Sequence, residues 1–469
     1  MKPQPLTQSG ERKIIKSIMD IQLIRKYNVA GPRYTSYPTV PYWDHSPTVE
    51  EWFKLVRDTF IATNKEGISL YIHLPFCESL CTYCGCNTRI TVNHAVELPY
   101  IETVLKEWEM YVKQFPDKPR IKEIHLGGGT PTFFSCENLE KLINGILKDS
   151  EIAPGHEFGF EGHPNYTQVE QLQKLYDLGF RRVSFGIQDF DQKVQYTIHR
   201  TQTYEQVKLV TEAARKIGYE SVNYDLIYGL PMQTMATITD TIEKVRELKP
   251  DRIAFYSYAH VPWIKPGQRR FTEDDLPLGE EKRALYEKGR LMLEDSGYRE
   301  IGMDHFSLPD DSLYKAYSAK KLHRNFMGYT TTDTQLLLGL GVSSIGDSWT
   351  GFAQNVKVFE EYVKMVNENK LPIVRGHILT DEDLIIRRHI LNLMCHFETS
   401  WEEKSMQCEA FYEGLERLQE MVKDELLLIS PYRMEVTDKG RAFVRNICMA
   451  LDARLWRKQP ESQIFSQTV

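Results

Sequence analysis

Short apolar segments alternate along the chain with longer segments in which apolar residues recur at helical spacing. The short segments are rich in β-branched and aromatic residues, as buried strands are. Strands that alternate with helices in this way form parallel sheets, so the pattern predicts an α/β fold, either a barrel or an open doubly wound sheet. The predicted strands cover residues 68–74, 121–126, 156–161, 181–187, 220–228 and 252–258. The predicted helices follow them at residues 97–114, 136–149, 167–178, 204–217, 235–247 and 279–296.

The segment before this array has a mixed character. A short amphipathic stretch at residues 14–27 precedes a run at residues 31–39 that is rich in turn-forming residues. That run is polar and interrupted by glycine and proline, so we do not expect it to belong to the core. Residues 1–50 are therefore predicted to form an N-terminal arm.

The segment after the array is mostly helical in pattern. The change begins at Leu371-Pro372, and one short β-like piece lies near residues 426–436. We therefore predict a βα domain at residues 51–368 and a mainly helical C-terminal domain at residues 369–469.

Composition narrows the class of protein. Of 469 residues, 41% are hydrophobic and 26% are charged, which is typical of a folded globular chain and excludes extensive disorder. The net charge of −7 gives no basic surplus for binding nucleic acid or an anionic membrane. No apolar run reaches the ~18 residues of a membrane helix, and the first thirty residues lack a signal-peptide core. We therefore expect a cytoplasmic protein.

All six predicted strands end in glycine, cysteine or polar residues. In parallel βα folds the carboxyl ends of the strands are where ligands bind. Six such endings in succession therefore predict one shared site. They are Cys77, the turn at residues 127–132, Glu161, Gln188, Asp225 and residues 258–260.

The first of these endings carries four cysteines, Cys77, Cys81, Cys84 and Cys86, in the spacing Cys-x3-Cys-x2-Cys-x-Cys. Thiolates select iron–sulfur clusters, zinc or copper(I). A structural zinc site is the alternative to a cluster, but such sites usually combine two separated pairs of ligands, and no second pair follows here. If three cysteines hold a [4Fe–4S] cluster, one iron stays open for catalysis. The remaining four cysteines are predicted to be buried apolar residues: Cys136, Cys395, Cys408 and Cys448.

The second ending is a glycine turn, Gly127-Gly128-Gly129-Thr130-Pro131-Thr132. It lacks the spacing of a dinucleotide fingerprint and the lysine of a P-loop. Three glycines still let the backbone approach a ligand closely. Beside a cysteine cluster on the preceding strand, the turn is a candidate binding element.

Together, the cysteine spacing, the aromatic Tyr83 before the third cysteine and the Gly-Gly-Gly-Thr-Pro turn resemble the radical S-adenosylmethionine enzymes. Further segments resemble, within that superfamily, the family of oxygen-independent coproporphyrinogen III oxidases, and the resemblance covers roughly residues 20–460. The segments lie at residues 32–38, 84–87, 186–190, 225–231, 302–306 and 445–448.

The resemblance implies a partial parallel (β/α)6 barrel of the radical S-adenosylmethionine type. It also implies a [4Fe–4S] cluster on Cys77, Cys81 and Cys84, and two molecules of S-adenosylmethionine. Cys86 corresponds to a fourth cysteine that matters for activity without binding the cluster. The positions that correspond to cofactor contacts are Tyr71, Tyr83, Gly128, Gly129, Thr130, Glu161, Gln188, Arg200, Asp225, Ala259 and Ile345.

The implied activity is the conversion of two propionate side chains of coproporphyrinogen III to vinyl groups in haem biosynthesis. A low-potential donor such as flavodoxin or ferredoxin is expected to supply electrons to a monomeric enzyme. Arg33, His323 and Arg324 are candidate partners for the propionates, because guanidinium groups position carboxylates well. At Gly162-His163 the chain departs from the family pattern, which has Asp or Asn before the proline.

Two other functions stay open at the level of the sequence. The first is a haem-binding chaperone, without catalytic activity, on the same scaffold. The second is a zinc-binding interaction protein. Bound haem without decarboxylation would support the first, and a colourless protein that contains only zinc would support the second.

Overall fold

The computed structural model describes residues 21–277, 279–460 and 464–468. Most strands belong to one large sheet, and helices cover its outer face. The strands are β1 (Ile68–Leu74), β2 (Phe76–Cys77), β3 (Arg89–Ile90), β4 (Arg120–Gly128), β5 (Glu151–Gly162), β6 (Arg182–Gln188), β7 (Ser221–Tyr228), β8 (Arg252–Ser257), β9 (Arg299–Ile301), β10 (His305–Ser307), β11 (His323–Asn325), β12 (Gly328–Thr330), β13 (Leu337–Leu340), β14 (Ile345–Asp347), β15 (Gly351–Asn355), β16 (Ile373–Ile378), β17 (Glu398–Ser400), β18 (Leu427–Ser430) and β19 (Arg433–Val436).

The α-helices begin at positions that the sequence marks well. Thr48, Thr203, Thr234 and Thr380 each form a capping box, in which side chain and backbone satisfy one another at the first turn of a helix. The helices are α1 (Ile21–Tyr27), α2 (Val49–Thr63), α3 (Glu97–Val112), α4 (Cys136–Leu147), α5 (Val169–Asp177), α6 (Gln192–Thr197), α7 (Tyr204–Ile217), α8 (Met235–Leu248), α9 (Gly279–Asp295), α10 (Ser312–Ser318), α11 (Phe359–Asn367), α12 (Asp381–His396), α13 (Glu409–Arg417), α14 (Gln419–Lys423), α15 (Val444–Leu451) and α16 (Ala453–Arg457).

The centre of the sheet is a parallel array in the order β1-β4-β5-β6-β7-β8. These are the six strands predicted from the sequence, in sequence order, and each predicted helix is present between them or after the last. Burial on both faces explains their near-continuous apolar character, since helices cover one side and the other side faces the interior of the barrel. The predicted partial parallel (β/α)6 barrel is confirmed.

The sheet extends beyond the predicted array at both edges. β13 joins β1 in parallel, and β14, β15 and β16 continue from it in antiparallel order. At the other edge β10 and β9 pair antiparallel with β8 and with each other. Because β16 covers residues 373–378, the sheet continues past residue 368, where we predicted the end of the βα domain.

The C-terminal region has a separate apolar core built from α12, α13, α15 and a three-stranded sheet in the order β17-β19-β18. The predicted β-like piece near residues 426–436 is the antiparallel hairpin of β18 and β19. β17 has only three residues and was not predicted.

The N-terminal arm packs against this C-terminal core rather than lying on the surface. Tyr34 and Tyr37 are buried in it, and the Tyr34 hydroxyl donates a hydrogen bond to Asp452 at 3.0 Å. The prediction that residues 31–39 stay out of the core is therefore wrong, because their aromatic rings reach apolar partners more than 350 residues away in sequence. Of the amphipathic stretch at 14–27, α1 is described, and residues 14–20 lie outside the described residues.

Within the ranges given above, no helix is both long enough and apolar enough to cross a membrane.

Candidate active site

The cysteine loop, residues 77–86, follows β1 directly and is closed at its base. β2 pairs in parallel with β3, which lies just beyond the loop. The Arg89 N–H donates to the Pro75 carbonyl at 2.8 Å, and the Thr91 N–H donates to the Cys77 carbonyl at 2.9 Å. All four cysteines are thus held in one short closed segment at the carboxyl end of β1.

A half-buried arginine, Arg200, contacts the cysteine loop at Cys81. Cys77 Sγ lies 3.3 Å from Thr130 Oγ1, and Arg200 Nη1 donates to Cys81 Sγ at 3.6 Å. The Arg200 guanidinium also donates to the Gly186 carbonyl, while its Nε is buried without a partner among the described residues. Burial raises the pKa of the Cys77 thiol to about 11. The cationic Arg200 acts in the opposite direction and favours thiolates in this loop.

The last two cysteines contact each other. The Cys86 backbone N–H donates to Cys84 Sγ at 3.4 Å. A hydrogen bond from the Cys86 thiol lowers the pKa of Cys84 to about 6. Lys265 Nζ donates to the Cys86 carbonyl at 3.5 Å, which adds a second cation to the loop.

The glycine turn lies directly on the start of the cysteine loop. The Gly129 N–H donates to the Leu74 carbonyl at 2.8 Å, so the end of β4 is bonded to the end of β1. Gly128 has φ +110°, and a Cβ there would stand 2.6 Å from the imidazole of His73. A Cβ on Gly129 would stand 2.6 Å from the backbone of Pro75. Side chains at these two positions would push the turn away from the loop.

Two strand-end carboxylates face the same space with different charge states. Burial alone would raise the pKa of Glu161, but hydrogen bonds from His125 at 3.4 Å and from the Gly128 N–H at 3.3 Å hold it below its ordinary value. Burial, and then the charge of Glu161, raise the pKa of Asp225 to about 6. Glu161 is therefore an ionised hydrogen-bond acceptor at neutral pH. The carboxyl group of Asp225, in contrast, titrates close to neutral pH.

Most of the predicted site residues line one cavity of about 280 Å³. The cavity lies between the cysteine loop and the strand ends, as the shared-site argument predicts. Among its lining residues are Cys77, Cys81, Tyr83, Cys84, Cys86, Gly128, Gly129, Thr130, Glu161, Gln188, Arg200 and Asp225.

Tyr71, Ala259 and Ile345 do not line this cavity. The Tyr71 ring stacks on His125 at 6.1 Å between centroids, one layer deeper in the barrel. Ile345 lies two strands away from Tyr71, across Gly339 of β13.

Ala259 is tied to the cysteine loop by a buried glutamine that the sequence did not reveal. Gln268 Nε2 donates to the carbonyls of Tyr83 and Ala259, at 3.2 Å each. Its Oε1 accepts the Val261 N–H at 2.6 Å. Gln268 is 2% exposed. The local sequence pattern does not distinguish Gln268, because a single glutamine in a polar loop is expected to be exposed to solvent.

Two histidines of the site, His125 and His163, were given no role from the sequence. His125 is on the inward face of β4, where the alternation of the strand could have placed it, and it orients Glu161. His163, at the departure from the family pattern, lines the cavity. Burial and the charge of Arg200 lower its pKa to about 2, so it is neutral there. Its Nδ1 accepts the Asn165 N–H at 3.2 Å.

The three candidate propionate partners differ in what they already bind. Arg33 is paired with Asp304 at 2.6 Å. Arg324 donates to the carbonyls of Arg33 and Tyr34 at 3.3 Å, and its Nη1 is buried with no partner in the described part of the chain. Burial lowers the pKa of His323 to about 4, so it is uncharged at neutral pH. Of the three candidate propionate partners, Arg33 and Arg324 are therefore the two that carry a positive charge at neutral pH.

The donor set fits an iron–sulfur cluster with an open iron. Three thiols of the loop face one cavity with the cationic Arg200 beside them, and the cavity continues away from the loop. A single metal ion would need three ligands on one point, and no three His, Cys, Asp or Glu side chains are grouped in that way within the described ranges. Gly128 and Gly129 line the same cavity, and their close packing against His73 and Pro75 leaves no room for side chains.

Comparison with known proteins places this site in a class. The model of the Radical SAM superfamily matches residues 71–245. A strand followed by such a cysteine loop, within a partial parallel barrel, is the arrangement of the radical S-adenosylmethionine enzymes, and this chain is one of them.

The full-length relatives narrow the class to one family. The oxygen-independent coproporphyrinogen III oxidase of Salmonella typhimurium is 37% identical over 455 residues, 96% of this chain and 98% of the relative. That of Pseudomonas aeruginosa is 37% identical over 443 residues, 93% of this chain and 96% of the relative. The solved structure of coproporphyrinogen III oxidase from Escherichia coli superimposes with a TM-score of 0.86 at 36% identity, covering 92% and 98% of the two chains. The chain belongs to the oxygen-independent coproporphyrinogen III oxidase family.

Proposed function

We propose that this protein converts coproporphyrinogen III to protoporphyrinogen IX without oxygen, in haem biosynthesis. The observation that carries the proposal is the convergence of the cysteine loop, the glycine turn and the strand-end carboxylates on one cavity, within a chain related over its whole length to enzymes of that name. The relatives do not favour the alternative of a non-catalytic haem chaperone.

The reaction is an oxidation of the substrate. Two propionate side chains become vinyl groups, and each loses one CO₂, one hydrogen atom and one electron. When bound, a reduced [4Fe–4S] cluster and S-adenosylmethionine supply a 5′-deoxyadenosyl radical that takes the hydrogen atom. The protein itself must hold these groups, orient the propionate and exclude water.

We assign the cluster to Cys77, Cys81 and Cys84. Their thiols share the cavity wall, and Arg200 offsets part of the negative charge of three thiolates. Tyr83 lies between two of these ligands, where its carbonyl is fixed by Gln268. These contacts hold the backbone of the loop at Tyr83 and its sulfur at Cys81.

We assign S-adenosylmethionine to the cavity beside the loop. Gly128 and Gly129 let the backbone come close to a ligand there, and Thr130 borders it. The ionised Glu161 accepts hydrogen bonds from hydroxyl or amino groups. A bound cation would add to the effect of Arg200 and hold Asp225 ionised.

A second molecule of S-adenosylmethionine is part of the proposal. A further cavity of about 190 Å³ lies inside the barrel and shares Glu161, Asp225 and Tyr256 with the first. The two spaces therefore border on the same three side chains. Gln188 lines the first cavity, and we propose Tyr71, Ala259 and Ile345 as further cofactor contacts, although they do not line that cavity.

We propose Arg33 and Arg324 as binding partners of the substrate propionates. Arg324 has a buried unpartnered Nη1, and Arg33 would exchange Asp304 for a propionate.

We further propose a monomeric cytoplasmic enzyme that takes its electrons from a low-potential donor such as flavodoxin or ferredoxin, without nucleic acid or membrane partners.

Anaerobic reconstitution tests the function. The protein is loaded with iron and sulfide, reduced with dithionite and supplied with coproporphyrinogen III and S-adenosylmethionine. We expect protoporphyrinogen IX, CO₂ and 5′-deoxyadenosine. Tight haem binding without decarboxylation would point instead to the chaperone, and a colourless zinc protein would overturn the radical assignment.

Substitution of Gly128 by alanine should damage the site through the backbone. The residue has φ +110°, and the new Cβ would meet His73 at 2.6 Å. A left-handed conformation costs an L-residue about 1–2 kcal/mol, and a displacement near 1 Å lowers turnover about a hundredfold. Turnover and iron content are the readouts. Gly267→Ala is the control, since its Cβ would meet nothing nearer than 3.5 Å. Equal activity of both variants would contradict the packing argument.

Substitution of Gln268 by leucine should loosen the cysteine loop. The change leaves the carbonyls of Tyr83 and Ala259 and the Val261 N–H without their partner, at about 1–3 kcal/mol for each buried group that stays unsatisfied. We expect faster loss of iron to a chelator and an altered electron paramagnetic resonance spectrum of the reduced cluster. Gln173→Leu, on the exposed face of α5, is the control. An unchanged spectrum would show that Gln268 does not position the loop.

A further inference from the structure

We propose that an exposed patch on the outer side of the cysteine loop is the docking site for an acidic, low-potential electron-transfer protein. The inference rests on the proposed function, because only a cluster that needs electrons needs such a partner. The patch consists of Leu80, Tyr196, Trp263, Ile264, Arg269 and Arg270.

Three chain segments form this patch as one surface. His199 Nδ1 is 2.7 Å from the Leu80 carbonyl, and the Thr82 N–H donates to the Ile198 carbonyl at 2.9 Å. The Arg270 guanidinium lies over the Tyr196 ring at 5.5 Å. The cysteine loop, the end of α6 and the loop after β8 are therefore joined by direct contacts.

The patch is separated from the sulfur atoms only by the cysteine loop itself. Leu80 directly precedes Cys81, and Lys265, next to Ile264, donates to the Cys86 carbonyl. The S-adenosylmethionine cavity lies on the inner side of the same loop. An electron that enters at the patch therefore reaches the thiolates without crossing the barrel or displacing the substrate.

Large apolar side chains make the patch unusual for an open surface. Tyr196 is 69% exposed, Ile264 54%, Trp263 50% and Leu80 44%. Aromatic residues and arginine are the types enriched in protein interfaces, and contiguous apolar exposure beside a site marks an interaction surface. The arrangement fits a protein partner better than a small ion.

Charge selects the class of partner. Arg269 and Arg270 form no ion pair with any residue that the structure describes, and Lys193 is exposed on the neighbouring helix α6. The exposed acidic residues Glu273 and Asp274 follow Arg270 in the chain, and no ion pair joins them to the two arginines among the described residues. Complementary potentials steer association and fix orientation, which indicates a partner with an acidic face around its redox group.

The electron count is simple. For each propionate the donor protein is oxidised by one electron and the cluster is reduced by one, and that electron cleaves S-adenosylmethionine. The electron that the substrate radical releases together with CO₂ goes to a one-electron acceptor protein, for which the oxidised form of the donor suffices. Electron-transfer encounters are short-lived and bury less than about 1,200 Å², so a small patch suffices. Such an encounter must depend strongly on salt.

The test compares reduction by a protein with reduction by a small molecule. Reconstituted Arg269→Glu/Arg270→Glu enzyme is mixed anaerobically with reduced flavodoxin, and bleaching of the cluster is followed by stopped flow. We expect the second-order rate at low salt to fall by about tenfold or more, and the difference from wild type to shrink at high salt. Reduction by dithionite should keep the wild-type rate. Trp263→Ala should slow the flavodoxin reaction at both salt concentrations.

A charge-matched control lies at the opposite end of the barrel. Arg57→Glu/Lys65→Glu changes the net charge equally, but Arg57 is exposed on α2 and Lys65 is exposed just before the amino end of β1. It should behave as wild type does with flavodoxin. Equal slowing in both double variants, or none in either, would overturn the docking site. A rise in KM for coproporphyrinogen III under dithionite would assign the arginines to the substrate instead. Absence of decarboxylation by wild type under dithionite would refute the function itself.

Discussion

Alanine at Cys77, Cys81 or Cys84 should abolish the iron–sulfur cluster and all turnover. The reconstituted wild-type protein should be brown and carry about four irons per chain. Removal of one thiolate leaves two ligands on an oxygen-sensitive cluster, in a cavity that is also lined by the cationic Arg200. Iron analysis, the absorption spectrum and cleavage of S-adenosylmethionine measure the loss.

Cys136→Ala provides the matched control. Cys136 is also a free cysteine, but it starts α4 and is not among the residues that line the cavity. This variant should bind iron and turn over as wild type does. A Cys77, Cys81 or Cys84 variant that keeps a normal cluster and still cleaves S-adenosylmethionine would refute the ligand assignment.

Serine at Cys86 should separate iron binding from catalysis. In our assignment three thiolates bind three irons, and a fourth thiolate would close the site, leaving no iron for S-adenosylmethionine. We therefore expect unchanged iron and an unchanged cluster spectrum. We propose that the Cys86 thiol donates a hydrogen bond or a proton near the reacting propionate. Turnover should then fall by about a hundredfold or more, because the serine hydroxyl is a far weaker acid.

The Cys86→Ser result depends on measuring both quantities in one preparation. Iron and sulfide are quantified in the same samples that are assayed for protoporphyrinogen IX. Loss of iron on substitution would mean that Cys86 is a ligand. In that case the open-site mechanism, or the choice of the three ligands, would have to be abandoned.

The array of parallel strands could be predicted from the sequence because each strand is buried on both faces and is therefore mostly apolar. Each strand also ends where apolar residues change to glycine, cysteine or polar residues. Glu161 and Asp225 could be named as site residues from that change alone, since a polar residue after an apolar strand falls at the ligand-binding edge. The assignment of particular thiols to iron came from resemblance to a family, because spacing alone leaves zinc open.

The features that were missed depend on contacts distant in sequence. The antiparallel strands β14 to β16 are short, and only pairing with the completed sheet stabilises them. Tyr34 and Tyr37 lie in a stretch of polar and turn-forming residues, and their burial requires the C-terminal core. Gln268 could not be predicted as a site residue for the same reason, since its hydrogen-bond partners, Tyr83 and Ala259, belong to separate segments of the chain.

One buried side chain joins the two ends of the described chain. Arg445 donates to the carbonyls of Gly31 and Pro32 and, on its other side, to those of Gln467 and Thr468. Because one guanidinium satisfies carbonyls in both segments, their docking is a single cooperative event. The segment around residue 467 therefore helps to fix the arm that carries Arg33, although it lies far from that arm in sequence.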